Sequence, residues 1–152
     1  DPTGRAIVTE ATDSETAITE KEENFMVMTN FSNFSMVGKN YKEVQGKGDE
    51  RYIICHEYLQ KHASNFNIEK GFELLEMCKN NDPQYPTTCS MVFDPREQNV
   101  FIVLERNFLK ILKLSIEKGT IETFRGYEKK SSLAVPVGVE GLLVKDLYQK
   151  LQ

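Results

Sequence analysis

The chain has 152 residues, 39% of them hydrophobic and 28% charged, with a formal net charge of −4 at pH 7. That length suits one domain with a sizeable core, and the composition is that of an ordinary soluble globular protein. The acidic balance argues against nucleic acid as a partner, because phosphate binding needs a basic footprint, and the longest apolar runs are far too short to cross a bilayer.

No signal-peptide pattern opens the chain. The first residue is not Met. Asp1-Pro2-Thr3-Gly4 reads as a turn entering a strand, so the chain is expected to begin inside a larger protein. The three cysteines, Cys55, Cys78 and Cys89, are odd in number and scattered. That argues against a disulfide framework and for a reducing, cytoplasmic compartment.

The chain reads as three blocks. Ala6 to Glu10 and Phe25 to Thr29 read as strands, with the acidic stretch Thr12 to Glu23 between them as a loop or a short exposed strand. Asn30 to Gly48 is rich in Asn, Ser and Gly, and reads as a long irregular loop of the kind that often carries function. Asp49 is the expected N-cap of a helix in which Tyr52, Cys55, Leu59 and His62 share a face. Asn67 caps a second helix running to Cys78, with Ile68, Phe72 and Leu75 on its apolar side, and Asn80-Asn81-Asp82-Pro83 stops it. The last block is β: Thr88 to Phe93, a turn at Asp94-Pro95-Arg96-Glu97, then Asn99 to Glu105. In the next strand Leu112, Leu114 and Ile116 alternate with polar residues, predicting one buried face. Lys118-Gly119 turns into Thr120 to Phe124, and Leu142 to Leu151 is a final helix. The expected architecture is α+β over a single domain 1–152, with a mainly antiparallel sheet covered by helices.

Two residues draw attention chemically. Asn30 ends the apolar run Phe25-Met26-Val27-Met28-Thr29, where a side-chain amide can donate to a developing negative charge. Arg51 lies in the first turn of the following helix and can aim a fixed cation at the same place. Each also has a plain reading, a loop amide and a solvated helix residue, which from the residues alone carries more weight. His56 and His62 lack partners at zinc-ligand spacing. Cys55 and Cys78 read as packing residues. Cys89 is a formal nucleophile candidate, but reads more simply as a buried strand cysteine. Gly46-Lys47-Gly48 lacks the phosphate-loop pattern.

Several segments resemble a known family. Asp1-Pro2-Thr3-Gly4-Arg5-Ala6-Ile7-Val8-Thr9-Glu10 is similar to the Asp-x-Thr-Gly-basic-x-aliphatic-Val-x-Glu strand of the choloylglycine hydrolase and penicillin acylase group, N-terminal-nucleophile hydrolases of linear amides. Val27-Met28-Thr29-Asn30 resembles the group's Val-x-Thr-Asn strand end. Gly48-Asp49-Glu50-Arg51-Tyr52 resembles the segment that carries its arginine. Thr87-Thr88-Cys89-Ser90-Met91-Val92-Phe93-Asp94-Pro95 is similar to a late strand. Glu105-Arg106-Asn107-Phe108 and Gly119-Thr120-Ile121-Glu122 resemble the acyl-coenzyme A:6-aminopenicillanate acyltransferase branch.

The resemblance implies an αββα sandwich and a cysteine nucleophile at a mature N-terminus, whose own α-amino group is the base. It implies that Asn30 stabilises the oxyanion and that Arg51 supports the cluster. It implies a small-molecule acyl amide as substrate and no cofactor. None of Cys55, Cys78 or Cys89 matches the nucleophile, so the chain resembles the C-terminal half of such an enzyme and is expected to be inert alone. Exposed strand edges make a homodimer a further expectation. The alternative is a non-catalytic binding or assembly module sharing the fold.

Overall fold

Alternating side chains at Ile7–Ala11 and Thr16–Glu20 suit a pleated pair, and these segments form β1 and β2, antiparallel, with Val8 opposite Thr19 and Glu10 opposite Ala17. The computed structural model describes residues 6–11, 15–20 and 23–135. Among the described residues, seven strands and two α-helices give an α+β protein with one two-stranded and one five-stranded antiparallel sheet. Contacts divide the chain into two compact units, Asp1–Asn67 and Ile68–Gln152. No helix among the described residues is long and apolar enough to cross a membrane.

In the first unit, the acidic stretch contains the short, mostly exposed strand β2, one of the two forms expected of it. Phe25 to Thr29, by contrast, forms no strand. Its apolar character comes from a packed, unladdered segment. Val27 is buried with Val44 and Tyr52, and its carbonyl accepts from the Asn33 side chain at 2.8 Å. Residues 30–48 are irregular, as expected, apart from single 3-10 turns at Phe34–Met36 and Tyr41–Glu43.

The first helix, α1, spans Asp49–His62. Its N-cap is Gly48 rather than Asp49. The Gly48 carbonyl accepts the first helical bond, from Tyr52 N at 3.0 Å, and the Asp49 carboxylate accepts only from the next amide, Glu50 N, at 2.7 Å. Gly48 sits at φ +91°, a left-handed conformation that a side chain resists. Asp49 and Glu50 in the first turn and Lys61 and His62 in the last complement the helix dipole. Tyr52, Cys55 and Leu59 face the core of this unit, while His62 lies against Tyr58 instead, ring centroids 4.4 Å apart.

The second unit begins with α2, Ile68–Met77. Strands β3 (Cys89–Asp94), β4 (Asn99–Leu104), β5 (Ile111–Ser115), β6 (Thr120–Arg125) and β7 (Ser132–Ala134) then pair in sequence order as a meander. Phe72 of α2 packs on one sheet face with Phe101, Val103, Phe108 and Ile111, flanked by Ile68 and Leu75 as the helical spacing predicts. Leu104, Leu112 and Ile121 form a second cluster on the other face.

The β5 pattern departs from the alternation read in the sequence. Ile111 and Leu112 are 0% and 3% exposed, and Ile116 lies beyond the strand at 60%. The strand runs between β4 and β6 with an apolar cluster on each face, so both of its sides are buried and the period of two disappears. Cys89 is exposed at the start of the edge strand β3, not buried. Strand β7 is three residues long, too short to show a period. The helix expected at Leu142 to Leu151 lies outside the described residues.

Burial sets the cost of substitution here. Ile111→Ala is expected to lower the unfolding free energy by about 2–5 kcal/mol in a urea titration, through lost transfer energy and a residual cavity. Arg125→Ala removes only an exposed ion pair with Glu69 of α2, and should cost less than about 1 kcal/mol in the same titration. Comparable losses for the two variants would contradict this ranking.

Candidate functional site

Asn30 lies between two anchored points of the first unit. Upstream, Val27 is buried. Downstream, Asn33 is only 7% exposed and its Nδ2 donates back to the Val27 carbonyl at 2.8 Å. That bond closes the span from 27 to 33 on itself. The far end is fixed again by Glu10 of β1, whose two carboxylate oxygens accept the backbone N–H groups of Asn33 at 3.0 Å and Phe34 at 2.8 Å. These amides open the Phe34–Met36 turn, where a 3-10 turn leaves N–H groups without internal partners. The glutamate that ends the first resemblance segment is therefore the clamp on the loop that carries Asn30.

Arg51, in the first turn of α1, reaches Asn30 directly. Its Nη2 donates to Asn30 Oδ1, across 21 positions of sequence. A guanidinium has donors and no acceptor, so the amide atom facing it is the oxygen. The amide Nδ2 is thereby turned away from Arg51. A charged donor on the oxygen also polarises the amide and makes its N–H groups stronger donors. The contact thus fixes which end of the amide is left to donate elsewhere. The two residues singled out in the sequence are in contact, although Asn30 ends a packed loop and not a strand.

Gly48 completes the cluster, and sequence reasoning passed over it. A Cβ at this position would stand 2.9 Å from Asn30 Oδ1, 3.3 Å from Arg51 Nη2 and 3.3 Å from Asn30 N. Only a residue without a side chain allows α1 to begin this close to Asn30. The signal was present as a glycine immediately before an acidic helix start, but glycine N-caps are common enough to carry no functional meaning alone.

A second group of aromatic side chains was not foreseen either. His56 of α1 stacks on Tyr41, centroids 4.7 Å apart and planes 4° apart, and meets Phe25 edge-on at 5.1 Å. Tyr52, one turn earlier on the helix, lies 5.0 Å away. Burial pushes the imidazole pKa below its ordinary value, against the opposing charge of Glu23. Burial, reinforced by Glu23, pushes the Tyr52 phenol up. Both groups are therefore neutral near neutral pH. Tyr52 and His56 at i and i+4 were visible in sequence; Tyr41 and Phe25 come from irregular segments with no period to read.

Among the cysteines, Cys55 packs beside Val27 and Tyr52, and desolvation raises the thiol of Cys89, which disfavours the reactive thiolate. Among the described residues, no group of three or more His, Cys, Asp or Glu is placed to hold a metal ion. No protein-family model matches this chain, and no curated protein or solved structure matches it.

Gly48→Ala is expected to destabilise the chain by about 1–3 kcal/mol through the left-handed backbone alone. It should also separate Arg51 from Asn30, seen as a changed environment of the Asn30 side-chain amide by NMR. An unchanged Asn30 resonance would mean the close approach is not needed.

His56 gives a pH dependence of definite sign. Its folded pKa lies below the unfolded value, so the unfolded chain binds the extra proton first. This contribution to stability is complete above about pH 6.5 and is lost as the pH falls through the folded pKa. Urea titrations at successively lower pH should show the decline in the native protein and a smaller one in His56→Phe, which keeps a ring in the stack. Identical slopes would assign the effect to another group.

Proposed function

We propose that this chain supplies the oxyanion-stabilising side of an N-terminal-nucleophile hydrolase or acyltransferase acting on linear, non-peptide amides. The observation that supports the reading is the hydrogen bond from Arg51 to Asn30 Oδ1, since it joins the only two residues of this chain that match the family's site. In this reading a cysteine encoded upstream of Asp1 attacks the amide carbonyl as its thiolate. The carbonyl oxygen becomes an oxyanion, and Asn30 Nδ2 donates to it. Collapse expels the amine, which takes a proton from the α-ammonium of the cysteine, and leaves a thioester. Water or a second amine then takes the acyl group.

Asn30 bonds a charge that exists only in the tetrahedral state, so its contribution falls on kcat and not on KM. Arg51 does not touch the reacting atoms in this scheme. It is a positioning residue, and a lysine cannot replace it, because an ammonium lacks the planar fork that orients the amide.

The test uses the protein encoded together with its upstream sequence, assayed for amine release from N-acyl amides. Asn30→Ala should lower kcat by about 10²–10³-fold with KM little changed. Arg51→Lys should lower kcat without restoring the Asn30 environment. A near-normal kcat with Ala at position 30 returns Asn30 to the role of a loop amide. Absence of any amide turnover in that protein favours the other reading, a non-catalytic binding or assembly module.

A further inference from the structure

Among the described residues β3 is an edge of the five-stranded sheet, paired with β4 alone. The direction of its backbone groups follows from one bond. Glu105 N donates to Thr88 O at 2.8 Å, continuing the register in which Cys89 stands opposite Leu104. In an antiparallel ladder successive residues turn their N–H and C=O alternately toward the partner and away from it. Thr88, Ser90, Val92 and Asp94 therefore face β4. Cys89, Met91 and Phe93 turn theirs outward, and among the described residues no turn or loop backbone group bonds them.

The same three residues carry the exposed side chains of the strand. Met91 is 47% exposed and Phe93 64%, and Cys89 is exposed as well. They share a face with Leu104, Ile102 and Val100, their partners in register, while Val92 packs on the Phe72 cluster of the other face. Natural edges are blunted by charge, proline, a bulge or shortness. β7, the opposite edge, is only three residues long. β3 pairs regularly along all six residues and has no charge or proline before Asp94.

This edge is complementary to itself in a single register. With a two-fold axis through Met91, normal to the sheet, Met91 meets Met91 of a second copy and Cys89 meets Phe93 in both directions. All are outward-facing, so each opposed pair exchanges both of its N–H···O bonds. The small thiol side chain lies against the large ring, and Asp94 falls opposite the uncharged Thr88. Neighbouring registers lose bonds. Centring on Val92 sets Cys89 against Pro95, which has no N–H. Centring on Ser90 sets Phe93 against Thr87, whose N–H already donates to Asn80 O at 2.9 Å.

We infer that β3 is a self-association edge, through which two copies of this chain pair antiparallel about Met91 into one continuous sheet. The axis keeps like faces together, so the apolar row from Ile102 to Met91 continues into the second copy. The surface uses neither Asn30 nor Arg51 and is independent of the amidase reading.

The whole 152-residue chain, kept reduced, should sediment with twice its monomer mass. Amide exchange should be slowed at Cys89, Met91 and Phe93, whose N–H groups point to solvent in a monomer. Met91→Lys places two like charges opposite each other and should sediment as a monomer, with an unchanged circular dichroism spectrum because Met91 is half exposed. Cross-linking fixes the register. Met91→Cys in a Cys89→Ser background brings its two thiols onto directly opposed residues, about 5.5 Å apart at Cα, within disulfide range, and should cross-link on mild oxidation. Two native Cys89 residues would lie four positions apart, about 13 Å, and should not cross-link to each other. A monomer at every concentration, a dimer that survives Met91→Lys, fast exchange at all three amides, or cross-linking at Cys89 but not at position 91 would each overturn the inference.

Discussion

The carboxylate of Glu10 is the constraint on which the rest of the first unit depends. It leaves β1 on the inward side of the pleat and accepts two backbone N–H groups, from Asn33 and Phe34. Asn33 is thereby held where its side chain can reach back to the Val27 carbonyl. That carbonyl would otherwise be a buried acceptor without a ladder, since the segment around it pairs with no strand. Val27 in turn fills the core with Val44 and Tyr52. One carboxylate thus links a hairpin, a long loop and the buried face of a helix. A side-chain acceptor does here what a third strand would do elsewhere: it satisfies backbone groups at the edge of an irregular segment.

Asn30 inherits its position from that clamp. The loop between Val27 and Asn33 is closed at its base, so Asn30 projects from a short span whose ends cannot separate. Arg51 approaches it from the first turn of α1, and Gly48 permits the approach by having no side chain. The contact therefore needs three separate features: a clamped loop, a helix that starts in a left-handed residue, and a long cationic side chain. An exposed pair of this kind contributes little to stability. Its value is orientation, because the guanidinium decides which end of the amide faces outward.

The second unit is built on a different principle. Its strands follow one another as a meander, so neighbours in sequence are neighbours in the sheet, and only short connections are needed. The corner between β4 and β5 is tight. Gly126, at the end of β6, sits where a Cβ would fall 1.8 Å from the Leu109 carbonyl oxygen. Glu105 and Arg106 adopt left-handed backbone at the same corner, φ 50° and 62°. The register between β5 and β6 shifts at Ile111/Leu112, next to this crowded point. On the surface of the same strand pair, Lys113 lies directly opposite Glu122 at 2.8 Å and holds that carboxyl below the usual carboxylate range.

The sequence by itself determined the α+β class, the two helices and the β3–β6 strands, and it singled out Asn30 and Arg51, which the structure places in contact. Those features are written in local signals: helical spacing at Phe72, turn residues at Asp94-Pro95 and Lys118-Gly119, an amide closing an apolar run. Tertiary structure decided the rest. Phe25 to Thr29 has strand composition, yet among the described residues no strand pairs with it, and the apolar segment packs without a ladder. Ile111 and Leu112 are both buried because β5 has a cluster on each face, which erases the alternation that local reading depends on. The Glu10 clamp, the absence of a side chain at Gly48 and the stack of His56 on Tyr41 all join residues at least fifteen positions apart or depend on such a contact. No local period encodes them, since each exists only once the chain has brought distant groups within hydrogen-bonding or van der Waals range.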